Sequence, residues 1–339
     1  MSQGEVWKKV LEELNRSAVV TDILRNSGRR QRYIFLGCGT SYYLAEAAAT
    51  SWTTLTGHST RAIASSEILL FPEMLRPEEQ GACAVAISRS GQTSETLRAA
   101  SVLQQELKIP TIGITCEAGS ELEAICERTV VLTDCEEKST VMTRSFTGML
   151  LSLQYLASRL SGNSRFIEEL RGMAEQFSPK IGILAGRIET FLAQKSFKDF
   201  VFLGQGAFHG IAREGALKVM EMSCSYSQSF HTLEFRHGPK AIVSPETFLA
   251  FLLSDVGRQA ESEVLTEMKE LGGTTICISS RATEALTAVS DLMLEMGGEG
   301  LAWLAPYAVP GQLLGFFVGM AKGLNPDQPK NLTRVVVLD

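Results

Sequence analysis

Residues 33–39 read YIFLGCG, and residues 199–206 read DFVFLGQG. Each is an apolar, β-rich run that breaks at a pair of glycines, and a helix-like segment follows each break. A buried strand that stops at glycine and passes straight into a helix is the opening unit of a parallel sheet covered on both faces. Working outward from the first run, CAVAIS (Cys83–Ser88), PTIGIT (Pro110–Thr115) and RTVVLT (Arg128–Thr133) read as further strands. SYYLAEAAATSWTTLTG, SETLRAASVLQQELK and SELEAICE read as the helices between them. Outward from the second run, FLAFLL (Phe248–Leu253) and TTICIS (Thr274–Ser279) repeat the order. Gly37 and Gly204 are 167 residues apart, Gly91 and Gly257 are 166 apart, and Thr115 and Ser279 are 164 apart. Three landmarks at nearly one offset predict a duplicated α/β unit, each copy a doubly wound, flavodoxin-like parallel sheet flanked by helices. The expected organisation is an N-terminal helical segment (1–30), a first unit (31–165), a helical connector (166–198), a second unit (199–325) and a C-terminal tail (326–339).

Bulk properties narrow the function. The 339 residues suit two domains, and 45% hydrophobic content supports a large core. A net charge of −6 argues against nucleic-acid binding by counterion release, yet leaves room for a local pocket for a small anion. The seven cysteines are scattered, with no C-x-x-C pair, and read as reduced thiols of a cytoplasmic protein. The N-terminus MSQGEVWKKVLEELNRS is a charged amphipathic helix pattern, not a signal peptide, and no apolar run reaches membrane-spanning length. No His/Cys/Asp/Glu spacing suggests a metal site.

The two halves differ at their loops. The first carries GCGTS and SRSGQTSET; the second carries GQGAFHG and SDVGRQAES, with Asp255 where the first has Arg89. Ligands of open parallel sheets bind at the carboxyl ends of the strands, and both first-half loops fall there, each opening a helix whose free N–H groups favour an anion. Gly39 and Gly91 let the backbone approach a ligand. Thr40, Ser41, Ser88, Ser90 and Thr93 are short donors, and Arg89 adds charge, a set that suits a phosphate monoester. The bland alternative is that these hydroxyls merely cap two helices.

A second constellation follows. Glu214, Lys218 and Glu221 stand at i, i+4 and i+7 and share one helix face, and His237 lies in FRHGPK sixteen residues further on. A carboxylate and an imidazole are the usual pair for moving protons near neutral pH. An ordinary i, i+4 ion pair and a structural histidine beside Gly-Pro would leave the same pattern.

Together the motifs GCGTS, SRSGQTSET, EKSTVMTRSFT, EGALKVMEMS, FRHGPKAIV and NPDQPKNLTRVVV resemble the SIS (sugar isomerase) phosphosugar-binding family. The double-SIS isomerase portion of glucosamine-fructose-6-phosphate aminotransferase and the aminosugar-phosphate deaminases and deglycases are the similar members. The resemblance implies that Gly39, Thr40, Ser41, Ser88, Arg89, Ser90 and Thr93 hold a sugar 6-phosphate, although Arg89 stands where the aminotransferase has glutamine. It implies that Glu221 shuttles a proton between C1 and C2, with Lys218 and Glu214 around it. It implies that His237 opens the sugar ring across the interface of a homodimer with shared sites, and that Thr140 contacts the sugar. No cofactor is implied.

Two departures bear on the reaction. The chain opens without the N-terminal cysteine and glutaminase domain of the aminotransferase, which is expected to rule out ammonia production from glutamine by this chain. Arg334 takes the place of the Schiff-base lysine, and a guanidinium stays protonated and forms no imine; Lys330 is in the wrong register. Both point to an aminosugar-6-phosphate deaminase/isomerase that converts glucosamine or galactosamine 6-phosphate to a ketose 6-phosphate and ammonia. A fructosamine-6-phosphate deglycase, an ammonia-dependent or isomerase-only phosphosugar isomerase, and a non-catalytic phosphosugar sensor are the alternatives. The retained Glu221 and His237 weigh against the sensor.

Overall fold

The computed structural model describes residues 2–27, 30–75, 81–193 and 195–338. The chain divides into two compact units. One holds Ser2–Lys138, Met142–Ala174 and the tail from Thr333; the other holds Ser139–Val141 and Glu175–Leu332.

The first unit runs α1 (Gln3–Arg16), α2 (Ala18–Ser27), β1 (Arg32–Gly37), α3 (Thr40–Thr56), β2 (Ser59–Ala64), α4 (Ser65–Leu70), β3 (Cys83–Ile87), α5 (Ser94–Ser101), β4 (Thr111–Thr115), α6 (Glu121–Ile125), β5 (Arg128–Val131) and α7 (Arg144–Ser161). Its five strands are parallel in the order β2-β1-β3-β4-β5. α8 (Ser164–Phe177) follows, and the division between the units falls inside it. The second unit runs α9 (Lys180–Leu192), β6 (Asp199–Gly204), α10 (Ala207–Ser223), β7 (Ser227–His231), β8 (Thr247–Leu252), α11 (Arg258–Glu270), β9 (Thr274–Ser279), α12 (Glu284–Ala288), β10 (Leu292–Glu295) and α13 (Ala308–Ala321). Its sheet order is β10-β9-β8-β6-β7, again all parallel. Read from its β7 edge, this is the first sheet's arrangement repeated, the doubly wound order of flavodoxin-like folds.

The repeat extends to backbone conformation. Gly39 sits at φ +53°, ψ −124°, and Gly206 at φ +57°, ψ −129°. A Cβ on Gly37 would meet the backbone carbonyl carbon of Ser41 at 2.7 Å, and one on Gly204 would meet the Phe208 carbonyl oxygen at 2.4 Å. Only glycine allows strand and helix to close so tightly at both places.

Each unit has its own core. Ile34, Leu36, Ala84 and Ala86 on the first sheet cluster with Leu97 and Leu103. Val201, Leu203, Leu249 and Phe251 on the second cluster with Val264 and Met268. The N-terminal segment belongs to the first unit's packing: Trp7 is fully buried and its indole N–H donates to Thr147 Oγ1 at 2.9 Å. The seven cysteines are free thiols, and burial pushes Cys83 and Cys277 up to about 12. Among the described residues no helix is long and apolar enough to cross a membrane.

Three strands and two helix ends differ from the sequence reading. β2, β7 and β10 carry mixed or short segments (STRAIA, SQSFH, LMLE) and were not anticipated. α5 gives way after Ser101 to a π-helical turn, Val102–Glu106. The helical stretch between the repeats is two helices, separated at Ser178-Pro179, where proline cannot continue the hydrogen-bond ladder.

Candidate active site

The loop after β3 lies at the carboxyl end of the first sheet, and Ser88, Arg89 and Ser90 are all at most 5% exposed. Ser88 Oγ and Thr93 Oγ1 stand 3.2 Å apart, and Ser88 Oγ also accepts from the Gly91 N–H at 3.1 Å. The Gln92 N–H donates to Ser90 Oγ at 3.2 Å. Gly91 turns the chain at φ +61°, and a Cβ there would lie 2.3 Å from Ser120 Oγ. Thr93 is the N-cap of α5 and Gly39 the N-cap of α3, yet neither helix has a side-chain cap. Helix capping therefore does not occupy the Thr93 hydroxyl, which faces Ser88 across the turn. Thr40 and Ser41 are buried in the first turn of α3.

The second sheet fills the matching place with its own carboxylates. Asp255 accepts from Ser280 Oγ at 2.7 Å, from the Gly300 N–H at 2.6 Å and from Arg258. Glu261, fully buried, accepts from the Ser254 N–H at 2.7 Å and the Ser254 hydroxyl at 2.6 Å, and burial pushes its carboxyl up. At the position matching Asp255 the first repeat has Arg89, a donor in place of an acceptor.

Glu214, Lys218 and Glu221 share a face of α10, as the spacing predicts. Lys218 is fully buried, with Nζ 2.5 Å from Glu221 Oε2 and 3.4 Å from Glu214 Oε1. Burial pulls the ammonium's pKa down, but the two carboxylates outweigh it and the net shift is upward. Glu214 is fully buried too, whereas the Glu221 side chain is 18% exposed. The triad thus presents one carboxylate at its open end, aimed by a buried cation. α13 fixes this helix from behind through a glycine row. Cβ atoms on Gly311, Gly315 and Gly319 would lie 2.7 Å from Gly215 Cα, 2.5 Å from the Lys218 carbonyl oxygen and 2.3 Å from the Met222 carbonyl oxygen.

His237 ends the 3-10 turn Glu234–Arg236 and is exposed. Its carrier loop is pinned by Glu267, which pairs with Arg236 at 2.7 Å and Lys240 at 2.6 Å. His209 and His231 stack at the mouth of the second sheet, their ring centroids 3.7 Å apart. Burial, with His231 and Arg213 adding to it, pulls His209 down to about 4. The Thr140 N–H donates to the Asp327 carbonyl at 3.0 Å.

Arg89, which the resemblance places at the phosphate, and Arg334, at the position of the Schiff-base lysine, meet one another in the first unit. The Arg89 guanidinium donates to the Arg334 carbonyl at 3.1 Å. The Arg334 side chain pairs with Glu136. Arg334 and Glu136 border a cavity of about 660 Å³ within the first unit, walled also by Gln92, Glu117, Glu137, Lys138 and Arg144. The sequence reading overlooked Glu136, Glu137 and Arg144. Glu137 is 7% exposed and gathers the start of α7, accepting from the Thr143 N–H at 2.8 Å, the Thr143 hydroxyl at 2.5 Å and the Ser145 N–H at 3.2 Å. Its signal was present as a carboxylate six residues before a Thr-Arg-Ser helix start.

Known proteins resemble this chain in sequence and fold. The family model described as SIS domain matches residues 28–159 and 195–300. Glutamine–fructose-6-phosphate aminotransferase (isomerizing) of Methanothermobacter thermautotrophicus is 26% identical over 325 residues, 94% of this chain and 54% of that protein. The chain thus spans about half the length of such relatives. D-galactosamine-6-phosphate deaminase AgaS of Shewanella sp. is 28% identical over 350 residues, 96% of this chain and 85% of that protein. Among solved structures, glucosamine-6-phosphate deaminase of Thermotoga maritima is 30% identical with TM-score 0.78, covering 98% of this chain and 99% of that one. Tagatose-6-phosphate ketose/aldose isomerase of Escherichia coli, at 22% identity and TM-score 0.87, shares the fold. With the family match reaching into both sheets, the chain belongs to the SIS domain family.

Proposed function

We propose that the protein is an aminosugar-6-phosphate deaminase/isomerase. The observation that carries this is the buried Lys218 between Glu214 and Glu221, which leaves the Glu221 carboxylate at the open end of a fixed triad. A proton shuttle needs a carboxylate that is oriented yet accessible. The hydroxyl loop after β3 serves as the phosphate holder, and binding energy from that remote group goes into orienting the reacting carbons.

In this mechanism His237 assists ring opening. Glu221 takes the proton from C2 of the open-chain 2-amino aldose and returns it to C1, converting the C2 amine to a C2 imine. Water adds to that imine and expels ammonia, leaving the ketose 6-phosphate. No enzyme amine is required, in keeping with an arginine at position 334. The family resemblance supports a homodimer in which each chain lends its exposed His237 to the other's site.

The experiment is ammonia release from glucosamine and galactosamine 6-phosphate. Glu221→Gln is expected to lower turnover by about 10²–10⁴-fold while phosphosugar still binds; unchanged turnover would remove Glu221 from the chemistry. Deglycation of a bulkier fructosamine 6-phosphate, which would use the same groups, is the second reading. Turnover of the N-substituted substrate alone would select it.

A further inference from the structure

Arg89 was expected to hold phosphate, and its geometry points elsewhere. We propose that Arg89 is a positioning residue that latches the C-terminal tail onto the anion loop, and that it is not itself a phosphate ligand. The side chain is buried, and a buried guanidinium must spend its donors on fixed acceptors. One of those acceptors is the Arg334 carbonyl, 245 residues away in sequence. Two more residues of the same loop and helix grip the tail at alternate positions beyond it. The Ser94 N–H donates to the Val336 carbonyl at 3.3 Å, and Ser94 Oγ accepts from the Leu338 N–H at 2.9 Å. Arg98 donates to the Leu338 carbonyl at 3.2 Å. Residues 334, 336 and 338 are thereby tied to residues 89, 94 and 98, an extended strap laid along the start of α5. The latch places the Arg334 side chain against Glu136 on the cavity wall. The Arg89 carbonyl is itself held by Thr115 Oγ1 at 3.0 Å and the Cys116 N–H at 2.9 Å, so the latch is anchored in the sheet. A ligand that orders the loop then orders the tail as well, and by linkage a seated tail favours the ligand.

This inference rests on the loop being the phosphate holder, and the test separates the two. Arg89→Gln, Arg89→Lys, a chain ending at Leu332, and the Gln variant combined with that truncation are compared. Hydrogen exchange of tail and β3 amides, calorimetry with inorganic phosphate and with glucose 6-phosphate, and turnover of glucosamine 6-phosphate are measured on each. Arg89→Gln is expected to lose about tenfold in tail protection with β3 protection unchanged, to keep phosphate affinity within about twofold, and to add no further loss of kcat to the truncation. Arg89→Lys is expected to recover part of the tail protection. Glucose 6-phosphate is expected to raise tail protection in the wild type and not in Arg89→Gln. A loss of about tenfold or more in phosphate affinity with the tail still protected overturns the latch and makes Arg89 a phosphate ligand. Additive kcat losses, or a tail indifferent to the substitution, overturn it too. A wild-type chain that binds neither phosphate nor phosphosugar sinks the loop reading, while tail protection still decides the latch.

Discussion

Lys218 shows how one buried charge organises a candidate site. Its ammonium could not stay charged without Glu214 and Glu221, and neither carboxylate would be well placed without it. His209 shows the opposite solution, a ring kept neutral by burial and by its stacked neighbour His231. An unfolded histidine takes up its proton near pH 6.5, whereas the folded ring resists until about 4. Stability is therefore expected to fall as pH drops from 6.5 towards 4 and to level off below that, because the unfolded chain binds the extra proton in this window. His209→Gln should flatten the profile, by about 1–2 kcal/mol once partial exposure is allowed for. Urea midpoints at pH 7 and pH 4.5 measure it; parallel profiles for wild type and variant would contradict it. The triad was legible because i, i+4 and i+7 spacing is local. The Arg89 and Arg334 contacts were not, because each partner lies on a distant segment that only folding brings near.

At the scale of elements, the central strands announced themselves, as did the edge strand β5, whereas the edge strands β2, β7 and β10 did not. CAVAI in β3 is buried at every position, so its apolar run is unbroken. STRAIA in β2 and SQSFH in β7 are buried at one end or one position only, so nothing in them stands out from a loop. The helix pair α10 and α13 carries a further consequence. Their glycine row lets one backbone touch the other across Gly315 and the Lys218 carbonyl. Gly315→Ala is expected to force the helices apart and cost about 1–3 kcal/mol. Because the displaced carbonyl belongs to the residue that aims Glu221, kcat should fall while KM changes little. Thermal unfolding and steady-state kinetics check both parts; lost stability with kcat intact would leave the seam a packing feature only.

For the whole molecule, the duplication was visible in the spacing of three landmarks, and both sheets adopt one strand order. The proposed shared-site dimer can be tested with mixtures. Glu221→Gln and His237→Ala chains are each expected to be nearly inactive alone. Mixed and allowed to exchange, they should regain about a quarter of wild-type turnover, since half of random dimers are hybrids with one intact site in two. No recovery, with exchange verified by mass, would place both residues of a site on one chain.

Asp255 sits where the second repeat would otherwise take an anion, already supplied with Ser280, Arg258 and the Gly300 amide. The fold is repeated, but the proposed anion site is not. A phosphate titration should close at one equivalent per chain, because the second repeat carries a carboxylate of its own where a ligand would sit.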